Sequence, residues 1–132
     1  MQRNRIDPAT ESVFAALLSA AGNALKELSP EAGGSYAIAL KTGGGKICSA
    51  ATTDRQTDER IMQALIGAGE TRVTHLVAVW KEGCLDIPSY ALREKLLGLN
   101  KENENALLAL QGEGCFVVRT VGSTVPAKKT DE

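Results

Sequence analysis

No run of apolar residues in this chain approaches the roughly 20 needed to cross a bilayer, so no membrane-spanning helix is predicted. There is no excess of positive charge. The formal net charge is −1 and the isoelectric point about 5.9, and no basic stripe offers itself to nucleic acid or to an anionic membrane. The N-terminal residues 1–8 are polar and charged and lack the apolar stretch of a signal peptide. Aromatic residues are few, and the only histidine is His75. The three cysteines, Cys48, Cys84 and Cys115, are odd in number and have no metal-ligand spacing. Cys48 and Cys115 fall in predicted strands and read as buried free thiols. That usage fits a reducing, cytoplasmic setting. There are no internal repeats and no low-complexity segments.

What is present is enough for one domain with a real core. The apolar pattern of Phe14, Leu17, Leu18, Ala21, Leu25 and Leu28 predicts an amphipathic helix over 9–28. Strands are predicted over 35–41 and 47–51, joined by Thr42-Gly43-Gly44-Gly45-Lys46. That glycine run lies between two strands and lacks the spacing of a phosphate-binding loop, so it reads as a hairpin turn. A helix follows from near Thr57, capped by Thr53, Asp54 or Thr57, and Gly67 and Gly69 end it. A central strand covers 73–80, and 81–86 is a loop. Asp86 is placed to cap a third helix with Pro88 in its first turn. A polar connection over 100–105 leads to a last hairpin of strands over 106–110 and 114–121. The resulting order predicts an α/β three-layer sandwich with a mixed five-stranded sheet, parallel where helices link strands. The domain spans 9–121, with a tail at 1–8 and a C-terminal tail at 122–132 predicted to be disordered.

Two helix starts carry a resemblance. Thr57-Asp58-Glu59-Arg60 lies where the cytidine deaminase family has Cys-Ala-Glu-Arg or His-Ala-Glu. Pro88-Ser89-Tyr90-Ala91-Leu92-Arg93-Glu94 lies where that family has Pro-Cys-Gly-Ala-Cys-Arg-Gln. The element order over 12–121 resembles the family's as well, so the implied fold is cytidine deaminase-like. A profilin-like or roadblock-type sandwich is the alternative. In the resembling family three ligands hold zinc, which lowers the pKa of a bound water, while the Glu carries protons. Here the ligand positions fall on Thr57, Ser89 and Leu92, and Leu cannot ligate at all. The family's ribose-binding Asn-x-Glu is replaced by Ala50-Ala51-Thr52-Thr53, and a pocket Phe by Gly34. The resemblance therefore implies a degenerate member with no metal and no cofactor.

The expected function is a non-catalytic domain that binds a small anionic or nucleotide-like ligand, or acts in assembly as a homo-oligomer. Thr57, Ser89, Arg93 and Cys84 are expected around the emptied pocket, where two helix N-termini offer amides and positive dipole ends to an anion. Glu59 is the candidate proton carrier of the alternative, a divergent deaminase or hydrolase. Its plain role is a carboxylate favouring a helix N-terminus. Arg60 and Arg93 read as solvent-facing or paired with Glu94. Cys84 is a conceivable nucleophile, but no His is placed to activate it. His75 has no second ligand near it and reads as structural, and Trp80 as packing or interface.

Overall fold

A computed structural model describes residues 8–28, 35–53, 56–81, 84–111 and 116–125 of the chain. The elements are α1 (Pro8–Lys26), β1 (Tyr36–Thr42), β2 (Ile47–Thr52), α2 (Thr57–Gly67), β3 (Val73–Trp80), β4 (Leu85–Asp86), α3 (Tyr90–Leu99), a 3₁₀ turn (Lys101–Asn105), β5 (Leu107–Gln111), β6 (Phe116–Thr120) and α4 (Val121–Thr124). Five strands follow the order β2-β1-β3-β5-β6, with β3 and β5 parallel and the other neighbours antiparallel. The two-residue β4 extends the same edge of β3 beyond β5, pairing Leu85 with Val79 and Asp86 with Ala78.

Strand alternation explains the layers. Residues two apart point to one face. Ile38, Leu40, Leu76, Ala78 and Leu108 face Ile61 and Leu65 of α2 and Leu92 and Leu96 of α3. Ala37, Ala39, Val77, Val79 and Ala109 face Phe14, Leu17 and Ala21 of α1. The sheet is thus a middle layer between one helix and two, as an α/β sandwich requires. Each fully buried Leu or Phe contributes about 1.5–3 kcal/mol relative to leaving it in water, and Phe14, Leu17, Leu92 and Leu96 are all at 0% exposure.

The glycine run is the β1–β2 turn. Gly45 takes φ +91°, which favours Gly, and Thr42 receives bonds at both its carbonyl, from Gly45 N at 3.0 Å, and its hydroxyl, from Lys46 N at 3.0 Å. At the far end of β3 from Trp80, Asn103 in the 3₁₀ turn is 0% exposed and fully engaged. Its Oδ1 accepts from Val73 N at 2.7 Å, and its Nδ2 donates to Thr71 O at 3.0 Å and Leu96 O at 2.8 Å. One side chain thereby ties α3, the start of β3 and the connection to β5.

Several boundaries differ from the sequence reading. Asp86 does not cap α3. It sits in β4, and Ser89 is the cap, its Oγ accepting from Leu92 N at 3.0 Å. Pro88 consequently precedes the helix rather than opening it. The α2 cap position is Gln56, with no side-chain cap bond. β1 and β3 pair antiparallel because α2 carries the chain across β1 before β3 begins. Val121, expected to end the last strand, instead opens a helical turn, Val121–Thr124, that continues into the tail expected from 122, and its buried side chain packs into the α2/α3 core. The readings for Cys115, the 112–115 turn and residues 127–132 lie outside the described residues.

Candidate functional site

Three strand ends and two helix starts meet at one end of the sheet. The antiparallel registers set Tyr36, at the start of β1, opposite both Thr52, at the end of β2, and Trp80, at the end of β3. α2 starts just after Thr52, and α3 starts after the β4 return, so both bring their N-termini here.

Each of the three positions matched to metal ligands has another occupation. Thr57 is 1% exposed, and its Oγ1 lies 2.6 Å from Oγ1 of Thr52, which is itself buried. Ser89 donates to Asp58 Oδ2 at 2.5 Å while its oxygen caps Leu92 N. Leu92 is at 0% exposure in the core. Among the described residues no group of three His, Cys, Asp or Glu side chains comes together to hold a metal. A hydroxyl pair, a hydroxyl bound to a carboxylate, and a leucine do not fit zinc, which takes thiolate, imidazole or carboxylate in tetrahedral array.

The electrostatics here are acidic. Asp58 stands in the first turn of α2, where a carboxylate is favoured. The Asp86 carboxylate accepts from Trp80 Nε1 at 2.9 Å and from Ile87 N at 2.7 Å. Tyr36 packs its ring against Trp80, with centroids 4.7 Å apart. Burial first, then the charges of Asp58 and Asp86, push the Tyr36 hydroxyl far above the usual tyrosine range. It therefore stays a neutral phenol.

Of the residues expected at this pocket, Thr57 and Ser89 are brought together with Asp58 between the helix starts. Glu59 is exposed and makes no hydrogen bond or ion pair among the described residues. Arg93 does not face solvent or pair with Glu94. It is 8% exposed, its Nε donates to Pro88 O at 2.9 Å and Ser89 O at 3.3 Å, and its Nη1 donates to Thr124 O at 2.6 Å. The partner of Glu94 is the Tyr90 hydroxyl at 3.0 Å. Arg93 is directed to backbone carbonyls because α4 brings the C-terminal chain over it. Cys84 is exposed, and its carbonyl accepts from Trp80 N at 3.0 Å. His75 lies at the start of β3, at the other end of the sheet, edge-on to Phe14 with centroids 5.4 Å apart. Burial, and then Lys41, lower its pKa below the ordinary 6.5.

Sequence reasoning missed Asp58, Tyr36, Thr52 and the Trp80–Asp86 bond. The one local signal was an Asp in the first turn of a helix; the others depend on strand register, which no local pattern carries.

No protein-family model matches the sequence, and no curated protein is found similar to it. Solved structures are. A cytidine deaminase from Mycobacterium leprae superposes with a TM-score of 0.71 at 16% identity, over 86% of this chain and 98% of that one. A cytidine deaminase from Mycobacterium tuberculosis gives 0.64 at 18%, over 86% and 94%. One from Burkholderia pseudomallei gives 0.65 at 19%, over 85% and 95%. Element order, layers and these superpositions agree: the chain has a cytidine deaminase-like fold.

Proposed function

We propose that this chain is a non-catalytic deaminase-fold domain that works in assembly. The observation that carries the reading is the filled site: Thr57 on Thr52, Ser89 on Asp58, and Leu92 in the core. Without a metal to acidify water, a lone exposed carboxylate at Glu59 has no activated nucleophile to serve. An external anion is also disfavoured, because the Asp58 carboxylate already stands at the two positive helix ends.

Assembly is supported by the rim of the same site. Trp80 is 37% exposed, Ile87 37% and Tyr90 45%, three large apolar side chains around one loop. Aromatic residues of this kind anchor interfaces, and a second copy of the chain is the proposed partner. No helix among the described residues is long and apolar enough to cross a membrane. Two free thiols, Cys48 and Cys84, suit a reducing cytoplasmic compartment.

The test is threefold on one preparation: elemental analysis, a deaminase assay and light scattering. Expected are less than a tenth of a zinc per chain (on the order of background), unchanged cytidine and deoxycytidine, and a mass above the monomer at micromolar concentration. Stoichiometric zinc, or turnover abolished by Glu59→Gln, sinks the non-catalytic reading; a monomer mass sinks assembly.

The Tyr36–Trp80 pair favours a second reading, a nucleoside-like ligand. A base stacked on Trp80 would find acceptors in Asp58 and Asp86 for its amino group. Calorimetric titration with nucleosides checks this: heat that disappears in Trp80→Ala supports it, and no heat at millimolar ligand removes it.

A further inference from the structure

The two helix starts that would share a metal are joined without one. The Ser89 hydroxyl has one hydrogen and two lone pairs. The hydrogen goes to Asp58 Oδ2 at 2.5 Å, and one lone pair takes Leu92 N–H at 3.0 Å. The same oxygen thus closes the first turn of α3 and reaches the first turn of α2, across 31 residues of sequence. Asp58 stands where the resembling motif has Ala, so the acceptor of this bond is a group which that motif does not contain. On the other flank of the loop, Arg93 Nε holds the carbonyls of Pro88 and Ser89.

We infer that the Asp58–Ser89 hydrogen bond is the joint that stands in for a metal crosslink, fixing the start of α3 against the start of α2. Asp58 and Ser89 are positioning residues for the 87–89 loop. The inference rests on the reading that this site holds no metal. A hydroxyl donating to a carboxylate is among the stronger hydrogen bonds. Its exposure moderates the effect, since water competes for both groups. Shortness and geometry, not burial, therefore carry the joint.

The decisive property is coupling between two helices, which a purely local role for either residue would not produce. The experiment is native-state amide hydrogen exchange on the full chain, with melts of Asp58→Ala, Ser89→Ala and the double variant. In Asp58→Ala, a change in α2, the Leu92 and Arg93 amides of α3 are expected to exchange about three- to tenfold faster. Ser89→Thr, which keeps the hydroxyl, is expected to retain wild-type protection. The double variant is expected to lose less than the sum of the two single shifts, because either single change already breaks the shared bond while each residue's local cap or dipole term is lost separately. Should Asp58→Ala fold poorly, Asp58→Asn keeps size and tests the charge alone, with a smaller acceleration at the same amides. Acceleration confined to α2, or melting shifts that simply add, overturns the joint. Zinc is measured in the same wild-type sample. Stoichiometric zinc sinks the non-catalytic reading, whereas additive shifts in zinc-free protein sink only the joint.

Discussion

The sheet carries a polar cluster at each end, and the two are built differently. At the Val73 end, Asn103 is fully buried and every polar atom of its amide has a backbone partner. At the Trp80 end the Thr52–Thr57 pair and the Arg93–Pro88 bond are buried. The Asp58–Ser89 and Trp80–Asp86 bonds lie at the surface. A buried polar group must be satisfied or it costs the full desolvation penalty, whereas an exposed one can fall back on water. The first cluster is therefore expected to contribute more to holding the fold, and the second to set local geometry at a smaller cost to global stability.

The contrast breaks most readily at Asn103. Asn103→Ala leaves Val73 N and Thr71 O without their partner and takes from Leu96 O one of its two donors, the other being Asn100 N, and a loss of about 3 kcal/mol is expected. Urea unfolding measures it, and a loss under about 1 kcal/mol would remove the distinction between the two ends. Thr57→Val comes next. It keeps the shape but leaves the Thr52 hydroxyl unpaired, and about 1–2 kcal/mol is expected from the same measurement. Ser89→Ala removes a helix cap and is expected to cost about 1 kcal/mol, with Glu59→Gln inside ±0.5 kcal/mol as the exposed control.

Smaller effects come from titration, and they separate the ends by pH. His75 has a lowered pKa, so below about 6.5 the unfolded chain takes up a proton that the folded chain resists. Stability is expected to fall as the pH drops from neutral through that value, with the slope reduced in His75→Gln. Tyr36 behaves oppositely. Its pKa is raised, so above about 10 the unfolded chain loses a proton that the fold retains. Stability is expected to fall as the pH rises past 10, and Tyr36→Phe should flatten that limb. Melting curves from pH 5 to pH 11 check both, and a Tyr36→Phe profile parallel to wild type would place the alkaline loss elsewhere.

Much of the architecture was legible in the sequence because it is written in periodicity. The Phe14, Leu17 and Ala21 stripe, the glycine turn at 43–45 and the β-branched run ending at Trp80 are local signals, and each formed the expected element. The layer order followed from element order. The site was only half legible. The absence of ligands at Thr57, Ser89 and Leu92 could be read from residue type alone. What those residues contact instead could not, because the Thr52–Thr57 and Ser89–Asp58 bonds depend on how strand ends and helix starts are brought together. Arg93 was misread for a related reason. Nothing local announces that α4 will cover it, and an Arg on a short helix looks exposed until the segment that buries it is placed. Asp86 lost the cap to Ser89 because β4 pairing claimed its backbone first.

The burial of Leu92 has a consequence for what sequence change can reach. A leucine at 0% exposure between α2, α3 and the sheet is part of the foundation. Exchanging it for a smaller thiol would open a void before any ion could compensate, and the neighbouring steps at Thr57 and Ser89 would each undo a bond already in use. No single substitution along that route is an improvement by itself. Placing thiolates at all three positions is therefore expected to be destabilising at each early step, and a selection for metal binding would have to cross that loss before gaining anything from the ion.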